Sequence, residues 1–354
     1  MARKMTIRER ILATVHGEDA GVPFTIYMGI LPRGQGEREL RELGLGLQVQ
    51  VPVHISRHVH AEVEKRYTRV GEETLIRTLY RTPAGEAQLV QRVRADAGYG
   101  SAWTVEPLIK GPRDAEVMRN FIEDTVYEPN YAGLRHWQKQ IGEDGIVLGS
   151  VDLSAFQVLV NPDWLGMDGV SYWLADHPSE FDALYDALVR SQSRIYELAA
   201  EAPVELIHSD ENVTAVFVGP ALFQRYHLPF YRRLVPQLHA AGKLYVAHYD
   251  GSLRPLAQLL IDAPIDVVEA FTPPPMGDLG VAEAKTLWPN KVIWSNFPGS
   301  LFLEDEAAIA AYTRGLLEEA AGGRFVLGIT EDIPEDRWVA GLRTIAHEVA
   351  RHSA

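Results

Sequence analysis

Cysteine is absent from the 354 residues of this chain. Disulfides, cysteine-ligated zinc sites, iron–sulfur clusters and thiol nucleophiles are therefore excluded. Long apolar runs are also missing, since no stretch approaches the roughly 20 residues that a membrane-spanning helix needs. The first ten residues are charged and lack the apolar core of a signal peptide. We therefore expect a cytoplasmic protein with no membrane partner.

Positive charge is scarce, because 34 lysines and arginines stand against 48 aspartates and glutamates, for a formal net charge of −14. Nucleic acids and anionic membranes bind basic surfaces, so neither is an expected partner. The same deficit argues against a heavily anionic substrate. The chain is 46% hydrophobic, enough for a large core, and α/β barrels of this length form one domain.

What the sequence does contain is a series of short apolar segments, nearly all of which end at a polar or ionisable residue. Five of them fill the second half of the chain, at residues 204–210, 243–248, 265–269, 291–295 and 324–329. Helical patterns separate them, which is typical of right-handed βαβ units. Earlier candidates are residues 22–28, 51–54 and 145–152. The pattern predicts an α/β fold, a (β/α)8 TIM barrel whose strand ends meet at one face.

One early segment departs from this rhythm. Residues 74–81 and 88–94 alternate between apolar and polar side chains, and residues 82–85 between them have the composition of a turn. This pattern predicts an antiparallel hairpin. We place the hairpin in an insertion at residues 60–106, within a single barrel domain that spans residues 1–354.

Polar residues at the predicted strand ends are the candidates for chemistry. His248 and Asp250 form the sharpest pair, because side chains two apart in an extended segment point to the same side. Such a pair can chelate a metal or act as a base with its orienting carboxylate, and the alternative is a structural histidine beside an Asp-Gly turn. Glu331 and Asp332 follow the last strand. They are candidates for a metal site or for acid–base chemistry, with helix capping as the alternative for Asp332.

Other strand ends carry further candidates. Asp210 and Glu211 follow one strand, and alternation sends only one of them inward, with Glu211 slightly preferred. Asp152 ends the middle strand and is a third candidate for catalysis, and Glu269 also ends a strand. An arginine after the first strand would suit a substrate carboxylate. The candidates for binding a substrate are Tyr27, Arg33 and Asn296.

Several segments together resemble the uroporphyrinogen decarboxylase superfamily. They are residues 210–214, 219–223, 226–231, 238–243 and 248–251, the hairpin turn at 81–85 and the ending at 328–334. The resemblance covers most of the chain. It implies a (β/α)8 barrel, often as a homodimer. It also implies either porphyrinogen decarboxylation or zinc-dependent methyl transfer of the kind that serves corrinoid proteins and methylated thiols.

Two departures from the superfamily pattern bear on function. The decarboxylase has an arginine-rich motif after its first strand, whereas residues 27–34 contain only Arg33. The methyltransferases hold zinc with a His-x-Cys pair and a later cysteine, and the matching positions here are His248, Asp250 and Glu331, or Asp332 with a shift of one residue. Hard carboxylate oxygens thus replace thiolates, in a set that suits zinc and also manganese or iron. This replacement argues against thiol methylation.

The resemblance and the strand-end residues together predict a metal-dependent barrel enzyme that transfers a methyl group from a small organic substrate to a corrinoid protein or a folate. His248, Asp250 and Glu331 would bind the divalent metal, with zinc as the first choice, and Glu211 or Asp210 would be the acid–base group or a fourth ligand. Two alternatives stay open. One is a cofactor-free decarboxylase or lyase, in which Asp152 or Asp250 stabilises a cationic intermediate. The other is a barrel that binds a ligand or a partner without catalysis.

Overall fold

Strands and helices alternate along most of the chain in the computed structural model of the protein, which describes residues 5–94 and 102–352. The strands are β1 (Phe24–Tyr27), β2 (Leu45–Pro52), β3 (His54–His58), β4 (Glu62–Val70), β5 (Glu73–Thr82), β6 (Gly85–Arg94), β7 (Ala102–Glu106), β8 (Thr125–Pro129), β9 (Gly145–Val151), β10 (Leu206–Val213), β11 (Leu244–Tyr249), β12 (Val267–Phe271), β13 (Val292–Asn296) and β14 (Phe325–Ile329). The α-helices are α1 (Ile7–Val15), α2 (Gln35–Glu42), α3 (Pro112–Glu123), α4 (Tyr131–Ile141), α5 (Ala155–Val160), α6 (Gly166–Asp176), α7 (Pro178–Glu201), α8 (Pro220–Leu222), α9 (Leu228–Ala240), α10 (Ala257–Ile261), α11 (Val281–Leu287), α12 (Glu306–Glu319) and α13 (Trp338–His352). Among the described residues, no helix is long and apolar enough to cross a membrane.

Eight parallel strands close into a barrel in the order β1-β14-β13-β12-β11-β10-β9-β2. The first strand closes the ring, because β1 pairs with β14 on one side and with β2 on the other. The later barrel strands are short runs of buried apolar residues, as expected for parallel strands that are covered on both faces. The predicted (β/α)8 barrel is confirmed.

Apolar side chains fill the barrel interior. One core cluster includes Leu206, Val246, Val267, Val292, Trp294 and Val326. Since side chains two residues apart point to the same side of a strand, the next inward positions on three of these strands are His208, His248 and Glu269. A polar layer therefore covers the apolar core at the carboxyl ends of the strands. This polar layer consists of Tyr27, Gln48, His208, His248, Glu269 and Asn296. We call the layer, together with Asp210 and with Asp250 and Glu331 just beyond the strand ends, the barrel mouth.

The bounds of the second barrel strand differ from the prediction. The sequence pattern placed it at residues 51–54, whereas β2 spans Leu45–Pro52 and His54 begins a different strand, β3. The error has a physical cause. Two glutamines, Gln48 and Gln50, interrupt the apolar run of β2, and the side chain of Gln48 serves the barrel mouth instead of the core.

The chain divides into two compact units. The first unit comprises residues 1–53, 130–151 and 199–354 and contains the barrel. The second comprises residues 54–129 and 152–198, with a four-stranded sheet β4-β5-β6-β7 and a two-stranded sheet β3-β8. Strands β5 and β6 form the predicted hairpin, with Thr82 paired to Gly85 at its turn. The single domain with an insertion at residues 60–106 stays a prediction.

Candidate functional site

A buried glutamate occupies the centre of the barrel mouth. Glu269 on β12 is fully buried, and its Oε1 accepts hydrogen bonds from the Tyr27 hydroxyl at 2.9 Å and from Gln48 Nε2 at 3.1 Å. Its Oε2 lies 2.8 Å from His248 Nδ1 and 3.2 Å from His208 Nε2. Four side chains from four barrel strands thus hold one carboxylate. Because both of its oxygens are engaged, Glu269 is fixed in position and acts as an acceptor.

The charges of this centre follow from its contacts. Burial alone would raise the pKa of Glu269, but the imidazoles of His248 and His208 hold that pKa well below its usual range. Burial alone would lower the pKa of His248, but the charge of Glu269 and the hydrogen bond to it outweigh burial and raise the pKa. Glu269 is therefore an ionised carboxylate, and it accepts a hydrogen bond from the Nδ1–H group of His248.

The bond to Glu269 fixes the tautomer and the ring direction of His248. With Nδ1 donating, Nε2 carries the lone pair of the neutral ring. Within residues 5–94 and 102–352, the hydrogen bonds of the His248 ring involve Nδ1 only, and its side chain is 13% exposed. A histidine anchored to a carboxylate through one nitrogen is arranged to bind a metal or to move a proton with the other.

Two carboxylates beyond the strand ends act on His248 electrostatically. Asp250 follows β11, Glu331 follows β14, and both are half-buried. Burial raises the pKa of Asp250, and the positive charge of His248 opposes this rise. Burial also raises the pKa of Glu331 against its hydrogen bond from Asn296, and the negative charge of Asp250 adds to the rise. The three predicted metal ligands therefore lie within electrostatic range of one another.

Asn296 holds Glu331 in place. Its Nδ2 donates to Glu331 Oε1 at 2.9 Å, and its Oδ1 accepts from the backbone N–H of Thr330 at 3.0 Å. The side chain itself is almost fully buried on β13. Both polar atoms of the Asn296 side chain thus position the loop that carries Glu331, and its role as a substrate contact stays a prediction.

The adjacent acids Asp210 and Glu211 lie within β10 and point in opposite directions. Asp210 lies 3.5 Å from His208 Nδ1 and is 54% exposed at the barrel mouth. Glu211 is fully buried and turned away, where Ser209 and Tyr245 donate to its Oε1 at 3.0 and 3.1 Å. This geometry favours Asp210 over Glu211 as a group that reaches a substrate.

Two other predicted residues have different surroundings. Arg33 is 57% exposed and forms an ion pair at 3.3 Å with Glu37 on α2. Asp152 belongs to the second unit, where its Oδ1 lies 3.6 Å from His54 Nε2. Tyr27, by contrast, lies at the centre of the mouth through its bond to Glu269.

His208 and Gln48 were not among the site residues predicted from the sequence. Strand alternation could have found His208, because it stands two residues before the inward-facing Asp210.

Among the described residues, His208, His248 and Glu269 offer donor atoms within 4.8 Å of one another, close enough to share a metal ion. Glu269 already accepts hydrogen bonds from both imidazoles. Its contacts suit an orienting role, which leaves His248 Nε2 and the outer carboxylates as the more open donors.

Ionisable groups gathered at the carboxyl ends of eight parallel strands form the arrangement that barrel enzymes use for catalysis. The family model for uroporphyrinogen decarboxylase (URO-D) matches residues 159–352, more than half of the chain. The protein therefore belongs to the uroporphyrinogen decarboxylase family, and the resemblance found in the sequence is confirmed.

Solved structures match this chain to different extents. A methyltransferase from Methanosarcina mazei matches with a TM-score of 0.60 and 12% sequence identity, over 99% of this chain and 100% of its own. A putative vitamin-B12-independent methionine synthase from Listeria monocytogenes matches with a TM-score of 0.41 and 16% identity, over 63% of this chain and 69% of its own. No curated protein matches the chain by sequence.

Proposed function

We propose that the protein is a metal-assisted methyltransferase, which removes a methyl group from a small organic substrate and passes it to a corrinoid or folate acceptor. The orientation of His248 is the observation on which this proposal depends. Glu269 Oε2 accepts a hydrogen bond from Nδ1 at 2.8 Å, so Nε2 is the nitrogen left for a metal, and Asp250 and Glu331 lie within electrostatic range of the ring. Membership of the family and the methyltransferase fold from Methanosarcina mazei support it.

The proposed ligands are chemically suited to a divalent cation. His248, Asp250 and Glu331 would supply one imidazole nitrogen and carboxylate oxygens, a set that zinc, manganese and iron accept. The two carboxylates have raised pKa values, and the charge of Asp250 adds to the cost of ionising Glu331, a cost that a cation would remove. When bound, the metal would supply Lewis-acid activation of the heteroatom that carries the methyl group.

The other mouth residues would handle protons and position the ligands. Burial, reinforced by the charge of Glu269, raises the pKa of Tyr27 well above its usual value, so Tyr27 stays a neutral hydrogen-bond donor. Asp210 is the exposed carboxylate of the mouth and takes the acid–base role. Asn296 fixes Glu331, while Glu269 fixes His248.

A cofactor-free decarboxylase or lyase is the second candidate, and the family match favours it. The charges of the mouth limit the substrates that such an enzyme would accept. Four carboxylates surround the two histidines, and these carboxylates would repel a substrate that itself carries many carboxylates. They belong to Asp210, Asp250, Glu269 and Glu331.

Metal content tests the proposal. Elemental analysis by mass spectrometry of the untagged protein should find about one equivalent of zinc, manganese or iron. The His248→Ala and Glu331→Gln variants should lose it, because each removes a ligand. Asp332→Asn, which neutralises the exposed neighbour of Glu331, should keep it.

Other results would reject metal-assisted transfer. An absence of metal from the wild-type protein, even after incubation with these three ions, would favour the lyase. Equal metal in the wild type and in His248→Ala would place the ion elsewhere in the chain.

A further inference from the structure

The second unit contains a cavity of about 590 Å³ that the proposed function does not use. Its volume lies within the range of small-molecule sites in proteins, roughly 300–1,000 Å³. Aromatic and aliphatic side chains make up much of its lining, notably Tyr80, Phe121, Ile122, Val158, Trp164 and Leu188. Polar groups line it as well, among them Asp152, Ser191 and Gln192.

The aromatic part of the lining is a packed cluster. The ring of Phe121 meets Tyr80 edge-on, with centroids 5.0 Å apart, and lies 4.2 Å from the ring of His58. His58 is held in turn by Thr125, whose hydroxyl lies 3.1 Å from its Nδ1. Rings fixed in this way offer edges and faces for another ring to pack against.

The polar part of the lining contains donors such as Lys65 and two acceptor groups, at Gln192 and Asp152. Gln192 is 3% exposed, and its Nε2 donates to the backbone oxygen of Leu153 at 2.6 Å. Within the part of the chain that the structure describes, its Oε1 is buried and receives no hydrogen bond. Leu153 directly follows Asp152, and the lining of the cavity includes Asp152, Leu153 and Gln192. A buried carbonyl oxygen is costly unless a donor reaches it.

We propose that this cavity binds a small aromatic molecule with a hydroxyl group, a ligand of the phenol type. The ring would pack against the cluster of Tyr80 and Phe121, and the hydroxyl would donate to Gln192 Oε1 or to Asp152. Gln192 Oε1 and the Asp152 carboxylate are acceptors, so a ligand that bonds to either of them must supply the proton of that hydrogen bond. The methyltransferase proposal uses no residue of the second unit, and the two proposals therefore stand or fall separately.

Isothermal titration calorimetry on the full-length protein would test this site with three probes of similar size. The probes are 4-methylphenol, its methyl ether 4-methylanisole, and 4-methylcyclohexanol. We expect 4-methylphenol to bind most tightly. The ether cannot donate a hydrogen bond, so it should bind about 5-fold more weakly or worse. The cyclohexanol lacks the aromatic ring and should lose a similar factor.

Variants of two lining residues test whether 4-methylphenol binds in this cavity. Gln192→Leu should weaken binding of 4-methylphenol about 5-fold, by removing one neutral acceptor. Asp152→Asn changes a side chain that is 46% exposed, so folding should survive and binding should fall. Gln35→Leu, at an exposed position of α2, is the control and should bind like the wild type.

The proposal would be overturned if no probe gave heat at millimolar concentration. Equal affinity for the three probes would also overturn it, as would unchanged affinity in both Gln192→Leu and Asp152→Asn.

Discussion

Glu269 is the residue whose contacts define the barrel mouth. It is fully buried, yet it is ionised, because Tyr27, Gln48, His208 and His248 all direct polar hydrogens at it. A buried charge survives only when it is paired and hydrogen-bonded. The same contacts set the direction of His248. Stability and the proposed metal binding should therefore both depend on this carboxylate, and a change that keeps its shape but not its charge should affect both.

Glu269→Gln should weaken metal binding about 10- to 100-fold, the usual effect of losing a group that orients a metal-binding histidine. It should also lower the free energy of unfolding by about 3 kcal/mol, because an amide N–H₂ would face donors that need an acceptor. Competition with a chelator measures the first quantity, and urea unfolding of the metal-free protein measures the second.

Glu211→Gln is the matched control for this experiment. Glu211 is equally buried but turned away from the barrel mouth, bonded to Ser209 and Tyr245. Its replacement should change stability and leave metal affinity within about 2-fold of the wild type. If the two glutamine variants lost the same metal affinity, Glu269 would have no orienting role.

Irregular backbone helps to shape the strand that carries Glu269. The register of β12 against β13 shifts between Glu269 and Phe271, and Ala270 between them has φ +56° and is fully buried. Such a left-handed conformation is unfavourable for a residue with a Cβ, by roughly 1–2 kcal/mol. Bulges of this kind redirect side chains next to active sites. Strand β10 has a similar irregularity at Asn212, with φ +48°, just after Asp210.

Ala270→Gly tests whether the backbone at this position is strained. Removing the Cβ should relieve about 1–2 kcal/mol of left-handed strain, and losing a buried methyl and some chain stiffness should cost about as much. The net change in unfolding free energy should be close to zero. Ala247→Gly, at a fully buried position within β11, has no such strain to relieve and should cost about 1.5 kcal/mol. Urea unfolding of both variants measures the difference, and equal costs would show that Ala270 is unstrained.

These elements show what the sequence could and could not reveal. Period-two alternation and runs of Val, Ile and Leu were enough to predict the barrel, the hairpin, and the positions of His248 and Asp250 at a strand end. The same rule could not decide whether Asp210 or Glu211 faces the barrel mouth, because no local residue pattern predicts the bulge in β10. Gln48 was missed because a glutamine inside an apolar segment argues against a buried strand. Only its hydrogen bond to the distant Glu269 explains its position there.

At the scale of the whole molecule, the acidic balance of the sequence is repeated at the barrel mouth. The chain has a formal net charge of −14, and Asp250 and Glu331 lie close together where burial raises the pKa of each. Ionised carboxylates in such a place oppose folding unless a cation balances them. These two carboxylates are therefore expected to lower the free energy of unfolding relative to neutral side chains at the same positions. Such a loss of stability is common where function requires strained or repelling groups.

Asp250→Asn and Glu331→Gln should accordingly stabilise the metal-free protein, each by about 1 kcal/mol, or about 2 °C in the melting midpoint for a long chain. Adding zinc or manganese at about 100 times the dissociation constant should reverse the order, because the wild type alone would gain about 2.7 kcal/mol from tight binding. Asp332→Asn, on an exposed side chain, should stay within about 0.5 kcal/mol of the wild type under both conditions. Calorimetry with a chelator, and then with added metal, measures the melting midpoints of all four proteins.

If both neutralised variants were less stable than the wild type without metal, the carboxylates would be stabilising groups of the fold, and the main electrostatic reason for placing a cation between them would be lost.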